Sequence, residues 1–271
     1  MIFKSGLSEK TLRPCGADFE PDRSDRAAVA LHVDFSYYEA EVPLHQHRQG
    51  QLVLALHGAV TCRTSNCIWI VPPGCGIWIP GGVLHSNQVT PNARLSYLFV
   101  EPSAAALPQE CCTLSVSPML REMILRLADV QVAYAPDDHI GLLVRVLLQE
   151  LTLMPKEGLE LPVSDHPKIA MIAAALMDDP SDRRVLGEWA AHVAMSERSL
   201  KRLMVKETGL TFGQWRRQLH LVIALRELAS GATVQRVSSD LGYESTTAFI
   251  IMFKKALGTT PTRYFQPDPS P

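Results

Sequence analysis

The feature that most narrows the fold of this chain is a pattern of two short helices joined by a tight turn, which occurs twice. Between Val185 and Gly209, Leu186, Ala190 and Val193 recur at helical spacing, Ala194-Met195-Ser196 reads as a turn, and Leu200, Leu203 and Met204 form a second apolar face. Ser196 is placed to cap the second helix, since its hydroxyl can accept from an orphan amide of the first turn, and Gly209 is placed to end it. The arrangement returns about 48 residues later: Val234, Val237 and Leu241 fall on Leu186, Trp189 and Val193, Gly242-Tyr243-Glu244 falls on the turn, and Ala248, Ile251 and Met252 fall on Leu200, Leu203 and Met204. A long amphipathic helix, Thr211 to Ala229, joins the two copies. One such pair is a weak signal, because any two short amphipathic helices look alike. Two at a fixed offset argue against a plain helical bundle.

The faces turned away from these cores carry the chemistry. Glu197, Arg198, Lys201, Arg202 and Val205 share the outer side of the first copy's second helix, which is polar and largely cationic. That is the layout of a helix that enters the major groove of DNA. Phe249 and Phe253 read as core. Charge is distributed accordingly. The chain of 271 residues has a formal net charge of -2, but residues 1–165 hold 12 Lys+Arg against 18 Asp+Glu (12 - 18 = -6), whereas residues 166–271 hold 14 against 10 (14 - 10 = +4). A basic half joined to an acidic half is what a nucleic-acid-binding module carried by a non-binding module would show.

From Ala27 to about Glu101 the texture is different. Short runs at Leu52 to Leu56, Cys67 to Val71, Gly76 to Pro80 and Leu95 to Val100 are separated by Gly and Pro, the rhythm of an antiparallel sandwich or barrel. Helical spacing resumes after Pro118, with Leu120, Ile124 and Leu127, then Ile140, Leu143, Val144, Leu147, Leu148 and Leu151. Breakers and charges between Pro155 and Pro167 predict an interdomain linker. Apolar runs such as Ile68 to Pro73 fall far short of the roughly 20 residues that a membrane span needs. No secretory leader is visible, so a cytoplasmic protein with reduced cysteines is expected.

The segment Gly242-Tyr243-Glu244-Ser245-Thr246-Thr247-Ala248-Phe249-Ile250-Ile251-Met252-Phe253-Lys254-Lys255-Ala256-Leu257-Gly258-Thr259-Thr260-Pro261-Thr262-Arg263-Tyr264 closely resembles the C-terminal signature of the AraC/XylS family of transcription regulators. So does the run from Ser196 to Leu203, ending in Glu207-Thr208-Gly209. Ser238 and His220 depart from the family, which more often has Ala and Arg there. The resemblance implies two recognition helices held by a stiff helix, so that both reach successive major grooves of promoter DNA about 34 Å apart. Arg198 and Arg202 can pair with guanine edges, Glu197 can accept from cytosine, and Lys201 suits phosphate. Ser196 opens the first recognition helix. In the second, Ser245, Thr246, Thr247 and Ile250 offer hydroxyl and methyl contacts, and Lys254 and Arg263 lie along the backbone.

The acidic half has its own motif. His45 and His47 stand at i and i+2, Gln51 follows four residues on and then Gly58, and the later segment contributes Gly74, Pro80, Gly82, His85 and Asn87. This resembles the two-part cupin motif, in which a histidine of the second part joins those of the first inside a small β-barrel. On a strand, His45 and His47 would share a side and converge on one ion. The cupin's usual Glu is Gln51 here. Three readings stay open: His45, His47, Gln51 and His85 hold one divalent metal ion, they contact a small ligand directly, or the histidines are hydrogen-bonded barrel residues. His57, Trp69 and Trp78 read as barrel wall, and Arg48 and Gln49 as the lining of a pocket mouth.

The expected architecture is α+β in two domains: a cupin-like β-barrel over residues 1–117, a helical segment for coupling or homodimerisation over 118–154, a linker over 155–166, and an all-α DNA-binding domain with two helix-turn-helix motifs over 167–266. The expected function is a one-component regulator, not an enzyme, that binds double-stranded promoter DNA under control of an unidentified small-molecule effector. Two alternatives compete: a cupin metalloenzyme with an accessory helical domain, and a constitutive DNA-binding protein with a structural barrel. Against the enzyme, no second catalytic acid or base accompanies the histidines, and the basic repeat would have no enzymatic purpose.

Overall fold

The computed structural model describes residues 21–35, 40–130 and 133–266. Its strands, in chain order, are β1 (Ala28–Asp34), β2 (Ala40–His45), β3 (Gly50–His57), β4 (Val60–Arg63), β5 (Cys67–Val71), β6 (Cys75–Ile79), β7 (His85–Val89), β8 (Arg94–Val100), β9 (Cys112–Ser115), β10 (Lys156–Glu157) and β11 (Glu160–Pro162). They form two antiparallel sheets, ordered β1-β8-β3-β6-β9-β10 and β11-β5-β4-β7-β2. The expected closed barrel is therefore a sandwich among the described residues, because the turns pass the chain from one sheet to the other without hydrogen-bonding their edges together. Gly58 makes one such turn, from β3 to β4, at φ +66; a Cβ there would meet the Ala93 backbone at 2.8 Å.

Strand alternation sorts the apolar side chains into two cores. Along β3, Val53 and Ala55 point between the sheets, while Leu52 and Leu54 point outward to a second cluster. That second cluster is completed by α1 (Pro118–Ala128) and α2 (His139–Leu153), which bury Leu120, Ile124 and Leu127, and Val144, Leu147, Leu148 and Leu151. Ser117 and Asp138 cap the two helices.

The segment assigned to a linker is part of both sheets. Lys156 and Glu157 pair with β9, and Glu160 to Pro162 pair with β5. The cause is a pair of apolar residues inside the polar stretch: Leu159 and Leu161 are almost wholly buried, and two short edge strands let them reach the core. Only residues 163–166 separate these strands from the helical domain.

That domain comprises α3 (Pro167–Asp178), α4 (Leu186–His192), α5 (Glu197–Thr208), α6 (Phe212–Ala229), α7 (Val234–Asp240), α8 (Thr246–Leu257) and α9 (Pro261–Tyr264). Helix α6 differs from the amphipathic helix expected. It buries two stripes, one of Trp215, Leu219 and Val222 and another of Leu221, Leu225 and Leu228, and a helix that is apolar on two sides needs a partner on each. The first stripe meets the outer face of the second sheet, where Trp215 Nε1 donates to the Pro162 carbonyl (2.8 Å) and Gln218 Nε2 to that of Gly158 (2.6 Å). Asn92 Nδ2 donates to the Ala229 carbonyl (2.9 Å), and Tyr264 lies against Cys75 (3.8 Å). One continuous core thus runs from the sandwich interior through the second sheet into the helical domain.

His220, on α6, fastens the second helix pair. One ring nitrogen meets the Tyr243 hydroxyl (3.2 Å) and the other the Pro180 carbonyl (3.1 Å). Since a carbonyl only accepts, Nε2 carries the proton and Nδ1 accepts from Tyr243. Burial, with Arg216 nearby, lowers the imidazole's pKa to about 4. The unfolded chain binds that proton near pH 6.5, so the stability tied to neutral His220 is complete above 6.5 and is lost as pH falls toward 4. His85, also lowered to about 4 by burial, adds to the same limb. Thermal denaturation between pH 7.5 and 4.5 should show Tm falling with acid, and His220→Gln should flatten that fall; an unchanged slope would remove His220 from the acid sensitivity.

Candidate functional site

Three imidazoles converge between the sheets. His45 ends β2 and pairs with His85 at the start of β7 across a bulge, while His47 lies two residues beyond the strand. Strand alternation therefore does not bring His45 and His47 together, as the sequence spacing had suggested; the turn after β2 does. That turn is held by Gly82 N–H donating to the His47 carbonyl (2.8 Å). Gly81 permits the approach, since a Cβ there would collide with the Arg48 carbonyl.

Each ring is anchored the same way. The Nδ1 atoms of His45, His47 and His85 meet the carbonyls of Pro43 (2.8 Å), Gln49 (2.6 Å) and Val83 (2.8 Å). A carbonyl can only accept, so each ring carries a proton on Nδ1, and in the neutral imidazole Nε2 then presents its lone pair. The potential ligand atoms of the three lie within 4.8 Å of one another. Among the described residues His85 Nε2 is buried without a partner, and burial keeps that ring neutral, with a pKa of about 4. Gln51, also buried, places its amide oxygen 2.7 Å from His47 Nε2. With the His47 proton committed to Nδ1, two acceptors would meet there, so the amide must be turned over for its NH2 to donate.

Two neighbours complete the wall. Phe99 meets His47 edge to face, with centroids 5.4 Å apart. Asn87, two residues beyond His85 on the same strand face, has a buried Oδ1 with no partner among the described residues. The i, i+2 spacing of His85 and Asn87 was the signal available in the sequence. Trp69 and Trp78 are buried in the sheets as expected. His57 is exposed and bonds the Asn92 carbonyl. Arg48 and Gln49 do not line a pocket mouth: Arg48 pairs with Glu101 at 2.5 Å, and Gln49 is fully buried and donates to the Ser24 carbonyl.

The second set of residues lies on α5 and α8. Ser196 Oγ accepts from Ser199 N–H (3.2 Å) and Ser245 Oγ from Ala248 N–H (3.2 Å), so both serines are caps. Gly209 and Gly258 end the two helices in the left-handed region. Glu197, Arg198, Lys201 and Arg202 are exposed, and Arg198, Lys201 and Arg202 make no ion pair among the described residues. Lys254 and Arg263 are exposed as well, as is Thr247, while Thr246 is half-buried.

The two helix pairs are not related by one offset. Trp189 and Val237 are 48 apart, as are Ala194 and Gly242, which both hold positive φ in the turn. The caps Ser196 and Ser245 are 49 apart, and so are the buried pairs Leu200 and Phe249, Met204 and Phe253. The second turn is one residue longer, with Glu244 as the extra residue. This rotates the expected faces of α8: Ala248 and Ile251 do not match Leu200 and Leu203 in the core. Ile251 is 62% exposed and occupies the place of Arg202, whereas Ile250 packs partly against the core.

The chain matches the family described as the AraC-like ligand binding domain over residues 32–204, and a helix-turn-helix domain over residues 189–267. The HTH-type transcriptional regulator NimR of Escherichia coli K12 is 54% identical over 246 residues, covering 91% of this chain and 90% of that protein. The HTH-type transcriptional activator RhaR of Mannheimia succiniciproducens is 21% identical, covering 86% of this chain and 91% of its own length. Among solved structures, ToxT from Vibrio cholerae covers 88% of this chain at 8% identity with a TM-score of 0.37.

The α8 register has a direct thermodynamic consequence. Phe253→Ala should cost about 3–5 kcal/mol, the usual loss for a buried aromatic, whereas Ile251→Ala should change stability by no more than about 0.5 kcal/mol. Denaturant titration measures both, and a large loss at Ile251 would restore the 48-residue register.

Proposed function

This chain belongs to the AraC family of transcription regulators, and we propose that two helix-turn-helix units in its helical domain read promoter DNA while its sheet-rich domain senses a small molecule at a cupin-type histidine site. The observation that carries the DNA half is the outer face of α5, where Arg198, Lys201 and Arg202 stand exposed with no ion pair among the described residues. Cations left unpaired in the folded chain are available to phosphates and guanine edges. The matching face of α8 carries Thr247, Ile251 and Lys254, which suits methyl and phosphate contacts. Glu197, Ser245, Thr246 and Ile250 remain at the margins of these faces, and Arg263 on α9 faces the backbone. The relatives' description as transcriptional regulators supports a protein without enzymatic activity.

For the sensor, the three Nε2 lone pairs, the unpartnered buried Nε2 of His85 and the neutral donor set fit a divalent cation such as zinc. His45, His47 and His85 would hold it. Gln51 would first turn its oxygen inward, giving up its donation to His47. With no carboxylate among these groups, a bound ion would keep its full charge and favour an anionic or strongly polar effector. The exposed Leu142, Val146 and Leu153 on α2 support a second copy of the chain as a partner. Among the described residues no helix is long and apolar enough to cross a membrane, in keeping with a cytoplasmic site of action.

Footprinting with the full chain tests the DNA assignment. Arg198→Ala and Arg202→Ala should each reduce discrimination between specific and random DNA by about 1–3 kcal/mol, whereas Lys254→Ala should weaken all sequences alike. Binding should fall steeply as salt rises. Unchanged sequence preference in both arginine variants would remove α5 from base readout.

Elemental analysis of untagged protein purified without chelators tests the metal. One divalent ion per chain is expected at pH 7, lost on acidification as protons compete for the imidazoles. His47→Ala should lose the ion and the effector response while keeping DNA binding. No stoichiometric metal together with an intact response in His47→Ala would leave the histidines as structural residues.

A further inference from the structure

Both helix pairs begin their turn in the same way. At the end of α4 the Met195 amide donates to the Ala190 carbonyl (2.8 Å) and the Ala194 amide to that of Ala191 (3.1 Å). At the end of α7 the Tyr243 amide donates to the Ser238 carbonyl (3.0 Å) and the Gly242 amide to that of Ser239 (2.9 Å). This crossed pair of bonds places Ala194 and Gly242 in the left-handed region, at φ 50 and 71. Glycine accepts that conformation freely, whereas alanine holds it against its own Cβ. The motif uses both amides but leaves the carbonyls of Ala194 and Gly242 to find donors elsewhere, at the end of a helix where the backbone is electronegative.

In both turns the donor is a cation from outside the pair. Lys168 Nζ, in the first turn of α3, donates to the Ala194 carbonyl (3.2 Å), and Arg183 Nη2, in the loop after α3, donates to the Gly242 carbonyl (2.7 Å). Lys168 stands at the positive end of α3, where a cation is disfavoured unless a partner offsets it; the Ala194 carbonyl is that partner. The second turn is gripped further. Arg183 Nη1 reaches Glu244, the additional turn residue (3.3 Å), and Ser181 packs so closely that a Cβ on Gly242 would lie 2.9 Å from its carbonyl oxygen. The segment leading into α3 is in turn tied to α5, where Ser164 Oγ donates to Glu207 (2.8 Å). Helix α3 and its flanking residues therefore hold both helix pairs, in parallel with α6.

Taking α5 and α8 as the DNA-reading helices of the preceding section, we propose that Lys168 and Arg183 are positioning residues that brace the two turns against α3 and so fix the separation and relative twist of α5 and α8. A single helix such as α6 sets the spacing of two attached units but leaves each able to roll about it. A second attachment to each unit removes that roll and preorganises the reading faces. Arg183 and Glu244 are 62% and 84% exposed, so their ion pair is screened by water and adds little to stability. What Arg183 supplies is direction, through its bond to the carbonyl that precedes α8. Loss of either cation therefore loosens the spacing between the helices more than it weakens the fold.

The test uses the full chain and a duplex that it selects from a randomised pool, together with the same duplex carrying one extra base pair between its half-sites. One base pair turns the second half-site by about 35°. The unaltered chain should lose affinity about tenfold or more on the longer duplex, since a braced pair must distort the DNA to reach both grooves. Arg183→Ala and Lys168→Ala should each narrow that loss several-fold, with Tm and the salt dependence of binding nearly unchanged. Arg183→Lys, which keeps a donor for the carbonyl, should restore the loss. A cation that touches a phosphate instead would, when removed, weaken all duplexes alike and lower the salt slope by about one. The bracing role is overturned by that reduced slope, by an unchanged spacing penalty in both alanine variants, or by an unaltered chain that shows no spacing penalty. Failure of the unaltered chain to select any duplex would remove the DNA reading itself and the bracing role with it.

Discussion

The structure depends on burying α6 from two sides. Its stripe of Leu221, Leu225 and Leu228 is covered within the helical domain, and its stripe of Trp215, Leu219 and Val222 is covered by the second sheet. A helix apolar on two faces cannot stand as the exposed spine of a separate domain, so the sheet-rich half is a structural partner of the DNA-binding half as well as its sensor. This explains why the stretch around Leu159 and Leu161, though rich in Pro and charge, forms two short edge strands. They bring the chain onto both sheets just before it enters α3, which leaves residues 163–166 too short to let the domains drift apart.

Much of this was legible where a local rule acts alone. The strand runs at 52–56, 67–71, 76–80 and 95–100 fall within or against the observed β3, β5, β6 and β8, because each is an apolar run bounded by Gly or Pro. The caps Ser196 and Gly209 stand where their chemistry predicts. Strands β4 and β7 were not legible: Val60 to Arg63 is too short for a pattern, and His85 to Val89 is mostly polar because its inward residues build the histidine site. The second apolar stripe of α6 is present in the sequence, but amphipathic spacing alone does not separate it from the first. The extra turn residue, Glu244, escaped because both offsets, 48 and 49, align apolar residues; only the larger side chains Phe249 and Phe253 reveal which one packs.

The histidine cluster was legible as a set but not in its mechanics. What prepares His45, His47 and His85 is the carbonyl beneath each Nδ1, supplied by Pro43, Gln49 and Val83, and main-chain acceptors leave no mark in a sequence. The same strand that carries the site also reaches the domain boundary. Along β7, His85, Asn87 and Val89 point between the sheets, while Ser86 and Gln88 point outward. Thr90 follows, hydrogen-bonded to Asn92, which holds the Ala229 carbonyl of α6. The two environments are therefore opposite faces of one five-residue strand, joined by a contiguous physical path.

That path limits how sensing can reach DNA. Helices α5 and α8 are both packed against elements fixed to α6, the latter through His220 and Tyr243, and α6 is a continuous helix of 18 residues. Close-packed cores yield by discrete repacking and not by gradual deformation. A shift at β7 therefore moves the two outer faces together, with their spacing preserved, until the contacts around Trp215 and Asn92 break. An effector that binds both arrangements equally changes nothing, and moving the balance from 1:99 to 99:1 takes about 5.5 kcal/mol of differential affinity. An effector coupled to the helical domain through this path must derive its differential affinity from contacts that form or break between α6 and the second sheet or are carried to them by β7.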